Sequence, residues 1–116
     1  MEIFTERNTN LKSVFFCMIF KTGATDEECA GLTHFAEHMC FRRAGELDQD
    51  GLYDRCERLG VKIDGTTGKN FVKFSFFCRP AVFAEAFSIF SRMLSETTYN
   101  ESEIAAEKRV VMREAE

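Results

Sequence analysis

The run Val14–Phe20, VFFCMIF, constrains the fold more than any other stretch. It is apolar at every position and rich in Phe, Val and Ile. Laid out as a strand, it presents two apolar faces, so a central strand covered on both sides is expected. It is too short to cross a bilayer, and no charged n-region precedes it as in a signal peptide. A second extended block, VKIDGTTGKNFVKFSFFC, reads as two strands meeting near Thr67 to Lys69. In its second strand Val72, Phe74, Phe76 and Cys78 alternate with Phe71, Lys73, Ser75 and Phe77, which gives one apolar face. Near the start, EIFTE can form a short first strand, followed by the turn NTN.

Helical segments lie between and after these blocks. Thr25 with Glu28 has the form of a capping box, and a helix runs from this region to about Arg43, where Gly45 breaks it. Gly31 leaves its start open. A second helix, about Asp48 to Leu59, carries Leu52, Cys56 and Leu59 on one side and closes at Gly60. Pro80 suits the first turn of a third helix, whose stripe of Val82, Phe83, Ala86, Phe87, Phe90, Met93 and Leu94 is core packing. Asn100 with Glu103 is again a capping-box pair, opening a fourth helix that continues to Glu116. The order ββααββαα places strands and helices in blocks. That predicts an α+β fold of two layers, with helices on one face of a largely antiparallel sheet.

Composition narrows the function classes. At 116 residues, 45% hydrophobic and 29% charged, the sequence suits one small folded domain spanning 1–116. The net charge of −4 is spread along the chain, with no basic run. No nucleic-acid surface and no membrane segment is expected. The five cysteines are an odd set without paired short spacings. They read as reduced thiols in a cytosol-like compartment, which points to the cytoplasm, with an organelle matrix as the alternative.

The chemistry concentrates in GLTHFAEHMCF, which holds both histidines of the chain. A helical residue turns about 100° from its predecessor. Leu32, Phe35, Ala36 and Met39 therefore form one side, and His34, Glu37 and His38 the other, with Phe41 nearby. Imidazoles at i and i+4 can converge on one cation. Zinc is the usual choice for two histidines and a carboxylate, with a position left open for water. Glu37 shares that face and can act as general base. The spacing matches the inverted zincin motif H-x-x-E-H. The fourth helix offers a third donor: Ile104, Glu107, Val111 and Glu114 share a stripe. Two hydrophobes facing the core would turn two carboxylates inward, where a cation compensates them. Alternatively, Glu107 and Glu114 merely flank Lys108, Arg109 and Arg113 on a solvated face. The stripe alone leaves both readings open.

Three segments together resemble the pitrilysin (insulinase, mitochondrial processing peptidase) family of zinc metallopeptidases. They are TGATDEECAGLTHFAEHMCF, LGVKIDGTTGKNFVKF and ESEIAAEKRVVMREAE. The first resembles the family's run into H-x-x-E-H, the second its strand beside the active site, the third its helix with two spaced glutamates. The long spacer between His38 and Glu114 resembles the family's as well. The resemblance implies a mitochondrial-processing-peptidase-like fold and one zinc ion per chain, held by His34, His38 and Glu114. It implies Glu37 as base, Glu107 as a supporting acid, and a peptide substrate paired along Asp64, Gly65, Thr66 and Thr67. Asp64 and Gly65 replace the family's usual Asn-Ala, and Val61 its second Gly. Cys40 is read as packing, not as a ligand. Family members use four related domains or two paired chains, so the resemblance places this chain in the first half of a catalytic domain. A second peptidase-like chain, or self-association, would complete it.

Endopeptidase action on peptides or small unfolded polypeptides is thus the expected function. One alternative is a non-catalytic zinc-binding or assembly subunit. Another is a zinc enzyme acting on a small molecule, similar to S-ribosylhomocysteine lyase, which uses Cys as its third ligand.

Overall fold

A computed structural model gives the fold, describing all residues except 27, 29, 96, 97, 115 and 116. Its main sheet has three antiparallel strands: β1 (Val14–Phe20), β4 (Lys62–Thr67) and β5 (Val72–Cys78), in the order β1-β5-β4. The register sets Phe16 opposite Phe76 and Ile63 opposite that same Phe76. Alternation then decides the layers. Val72, Phe74, Phe76 and Cys78 are all buried against the helices, as their spacing predicts. Phe15, Ile19 and Phe77 occupy the opposite, helix-free face and stay exposed. The class is α+β, with helices on one face of an antiparallel sheet.

Three expectations about strands need correction. β1 is not central: β5 is, and β1 lies at the margin of the described sheet. Its double apolarity reports hydrophobic content on both faces, whereas sheet position depends on which strands find partners. EIFTE forms no strand, and Ile3 and Phe4 are exposed because no neighbouring strand among the described residues offers them a ladder. The order ββααββαα also misses a small hairpin, β2 (Arg43–Ala44) with β3 (Leu47–Asp48), inserted between the first two helices. Gly45, at φ 62, makes that turn possible.

Helix α1 (Leu32–Met39) is shorter than expected at both ends. Its N-terminus falls at Gly31, at φ 84, without a side-chain cap. Thr25 does not open a helix. Its backbone N–H and its hydroxyl both donate to the Lys69 carbonyl, at 2.9 and 2.6 Å, tying a 3-10 turn to the β4–β5 connection. The part of the expected helix at residues 27 and 29 lies outside the described residues, as does Cys29. The division of α1 into faces holds at Met39, which is buried, and changes elsewhere: Leu32 and Ala36 are exposed, and Glu37 is buried.

The other helices follow the sequence closely. In α2 (Gln49–Leu59) the Asp48 carboxylate accepts the Gly51 N–H at 2.8 Å, and Gly60 ends the helix at φ 71. Leu52 and Cys56 are buried and Leu59 packs beside them. A 3-10 turn at Pro80–Val82 leads into α3 (Phe83–Ser95), which buries Ala86, Ile89, Phe90 and Met93, whereas Phe87, expected in the core stripe, is exposed. Phe76 is the hub: its ring contacts those of Phe16, Phe83 and Phe90 at centroid distances of 5.2 to 5.7 Å.

Helix α4 (Glu101–Glu114) opens with the expected box, the Asn100 side chain accepting the Glu103 N–H at 2.8 Å. Its expected continuation through residues 115 and 116 lies outside the described residues. Of the expected stripe, Glu107 is buried, Val111 is part-buried and Glu114 meets the imidazoles, and only Ile104 departs. Ile104 is exposed, and Glu103, one position before it, takes the inward place through Arg43. Charge, more than apolar area, docks this helix: Arg43 bonds Glu103 at 2.9 Å.

Two outcomes follow from this packing. Phe76→Ala is expected to cost about 3–5 kcal/mol in chemical denaturation, and Phe77→Ala, on the open face, under about 1 kcal/mol. The hydrogen bond from Arg43 holds the Glu103 carboxyl below its ordinary value of 4.5. A lowered folded value stabilises above the ordinary one and is lost as pH falls through the folded one. The urea midpoint of wild type should therefore exceed that of Arg43→Met at neutral pH, with the gap closing below about 4.5.

Candidate metal centre

α1 delivers His34 and His38 from successive turns, and α4 crosses against it. The two Nε2 atoms are 2.9 Å apart, and each lies 3.3 Å from Glu114 Oε2. His38 Nδ1 is 2.7 Å from Glu107 Oε1, and Glu107 Oε2 accepts Arg42 Nε at 2.5 Å. A carboxylate has no hydrogen to give, so the geometry assigns the proton to His38 Nδ1. Nε2 then turns a lone pair toward His34 and Glu114. His34 Nε2, His38 Nε2 and Glu114 Oε2 thus converge. Donors of a tetrahedral zinc, bound at about 2.1 Å, stand roughly 3.4 Å apart, so the side chains present fit such an ion.

Glu37 adjoins this triangle. Its carboxylate and the two imidazoles offer ligand atoms all within 4.8 Å of one another. It is 8% exposed and accepts the Thr67 hydroxyl at 3.0 Å. Gly65 provides the room. A Cβ there would stand 2.6 Å from Glu37 Oε1 and 2.7 Å from the Phe41 ring. Where the family resemblance leads one to expect alanine, the glycine lets the Glu37 carboxylate approach β4 closely.

The structure therefore gathers His34, Glu37, His38, Glu107 and Glu114 into one cluster. Among the expected substrate-strand residues, Gly65 and Thr67 face Glu37, and Asp64 and Thr66 are exposed on the opposite face of β4. Cys40 is part-buried beside the core. Burial, with the nearby Glu37 carboxylate, pushes its thiol up to about 11, in keeping with packing. Sequence reasoning missed Arg42 and the hydroxyl of Thr67 as partners of Glu107 and Glu37. The basic doublet directly after the histidine helix was the available signal for the first. Nothing in a single sequence marks the second.

His34 and Glu114 side chains are 38% and 49% exposed, so the cluster is open on one side, whereas Glu107 is 6% exposed. Gly65→Ala is expected to force Glu37 and Phe41 apart at a cost of about 1–3 kcal/mol, read by thermal unfolding. Thr67→Val removes one hydrogen bond and should cost only about 1 kcal/mol.

The sequence matches the family described as Insulinase (Peptidase family M16) over residues 2–116. It is 26% identical to the uncharacterized zinc protease YmxG of Bacillus subtilis (strain 168), across 98% of this chain and 28% of that protein. Among solved structures, the fold is similar to a protease from Helicobacter pylori, with a TM-score of 0.81 at 19% identity over 90% of this chain and 26% of that one. It is also similar to a peptidase M16 inactive domain from Pseudomonas fluorescens, with a TM-score of 0.80 at 19% identity over 87% and 25% of the two chains. The chain thus spans about a quarter of the length of these relatives. With a family match that takes in nearly every residue, including both histidines and both inward glutamates, the chain belongs to the insulinase family of peptidases, family M16.

Proposed function

We propose that this chain carries the zinc site of a metallopeptidase that hydrolyses peptides or small unfolded polypeptides. One observation carries the proposal: His34 Nε2, His38 Nε2 and Glu114 Oε2 converge within 3.3 Å while Glu37 is held beside them. Zinc, when bound, supplies Lewis-acid polarisation of the scissile carbonyl and lowers the pKa of water. The residues of the chain divide the remaining work. Glu37 takes a proton from the attacking water and returns it to the departing amine as the C–N bond breaks. Thr67 fixes the Glu37 carboxylate from the strand side. Glu107 orients His38 through Nδ1.

β4 supports the substrate reading. It is the outermost strand of the described sheet on the side of Glu37, so an extended peptide can pair along its free edge, from Asp64 to Thr67. The open cluster needs a second lobe to exclude water and close over a peptide. We assign that role to a further peptidase-like chain, to self-association or to further sequence of a longer protein. Among the described residues no helix is long and apolar enough to cross a membrane. The free thiols of Cys17, Cys40, Cys56 and Cys78 support a reducing, cytosol-like setting.

A second reading is a non-catalytic subunit, since the fold is also similar to an inactive M16 domain. The lyase-like alternative calls for a cysteine donor, whereas the atom that meets the imidazoles here is a Glu114 oxygen. Zinc analysis with peptide cleavage separates the readings. Wild type is expected to bind one zinc per chain, and His38→Ala to lose it. Glu37→Gln should retain zinc and lose cleavage by about 10²–10⁴-fold, the contribution of a positioned base. Zinc retention with no cleavage by wild type, even with its complementing lobe, would support the non-catalytic subunit.

A further inference from the structure

Two consecutive arginines leave the C-terminal end of α1, and each takes hold of one glutamate on α4. Arg42 Nε donates to Glu107 Oε2 at 2.5 Å, and Arg43 donates to Glu103 Oε1 at 2.9 Å. Glu103 and Glu107 stand one helical turn apart on one face. Around them α4 offers little apolar purchase. Glu107 is its one buried side chain among the described residues, and Ile104 and Met112 are 41% and 61% exposed. An amphipathic helix ordinarily docks through a continuous apolar stripe. Here directional, charge-assisted bonds take that role.

Register matters at the far end of the helix. A slip of one residue moves a helical position by about 1.5 Å and rotates it by about 100°. Glu114 Oε2, 3.3 Å from both imidazoles, would not survive it. One anchor fixes a point on a helix and leaves rotation free, whereas two anchors a turn apart fix both. Glu107 lies two turns before Glu114 on the same face, so whatever sets its position sets that of Glu114. Glu103 Oε2 is buried without a hydrogen bond. Its other oxygen accepts Arg43 at 2.9 Å and, at 3.4 Å, the Asn100 N–H, and Arg43 is the charged partner that compensates the carboxylate.

We propose that Arg42 and Arg43 are positioning residues, a two-point clamp that sets the register of α4 and so presents Glu114 to His34 and His38. The proposal rests on the zinc reading above for its consequence, though the clamp itself is a property of the fold. Arg43 is the discriminating position. Its partner Glu103 lies three turns, roughly 16 Å along the axis, before Glu114. Its influence on the metal must travel through the helix.

The test uses the full chain and three readouts: zinc affinity by chelator competition, the visible spectrum of the Co2+-loaded protein, and amide hydrogen exchange of the metal-free protein. Arg42→Met and Arg43→Met are each expected to weaken zinc by about 10–100-fold. Their cobalt bands should shift toward those of Glu114→Gln, while Arg42→Lys retains most of the affinity. Unchanged affinity and an unchanged spectrum in a folded Arg42→Met/Arg43→Met double variant would overturn the clamp. If wild type itself binds no zinc, the metal reading fails separately, and exchange then decides. The double variant should lose protection across α4 and keep it in α2, and equal protection in α4 would overturn the proposal.

Discussion

The buried carboxylate of Glu107 is the contact on which the rest of the site depends. Its two oxygens do different things: one receives the Arg42 guanidinium and the other meets His38 Nδ1. A lone buried carboxylate would be strongly unfavourable. With a cation on one side and an imidazole N–H on the other, it becomes a bridge between α1 and α4. From it follow the tautomer of His38, the direction of the Nε2 lone pair and the placement of α4 two turns further on at Glu114. The candidate metal centre is thus built on a structural ion pair.

The sheet contributes by shape. β5 carries the apolar ladder that seats the helices, with Phe76 gathering Phe16, Phe83 and Phe90 around it. β4, beside it, presents its small residues Gly65 and Thr67 toward α1. That lets α1 lie close enough for Glu37 to be buried against the strand while its histidines stay accessible. A larger residue at 65 would push the base toward the imidazoles or out of the cleft, since the space a side chain would fill is already taken by Glu37 and Phe41. The strand to which the proposed function assigns the substrate is therefore also the strand that holds Glu37, its proposed base. Binding and chemistry share one backbone element.

Much of this was legible beforehand, and the misses have specific causes. Period-two alternation at Val72–Cys78 identified the buried face of β5, because a strand has only two faces. The caps at Gly60 and Asn100 marked helix ends through local hydrogen bonding, which needs no knowledge of distant neighbours. Thr25 misled because its hydroxyl had a better partner in the Lys69 carbonyl, 44 positions along the chain. Val14–Phe20 misled because apolarity on both faces does not reveal how many strands lie beside it. Ile104 misled because an apolar stripe was assumed to dock α4, where the anchors are Glu103 and Glu107.

The sequence by itself determined the chemical inventory: two histidines and a glutamate in helical register, a distant pair of glutamates, and the strand and helix blocks that could carry them. Those are properties of short-range spacing, which a chain displays without folding. Only the tertiary structure decided which glutamate meets which nitrogen, that Arg42 and Arg43 anchor α4, and that Thr67 and Gly65 seat the base. Each of these joins residues some 28 to 80 positions apart, from Glu37 with Gly65 to His34 with Glu114, and such pairings exist only once the sheet register and helix packing have closed the loops between them.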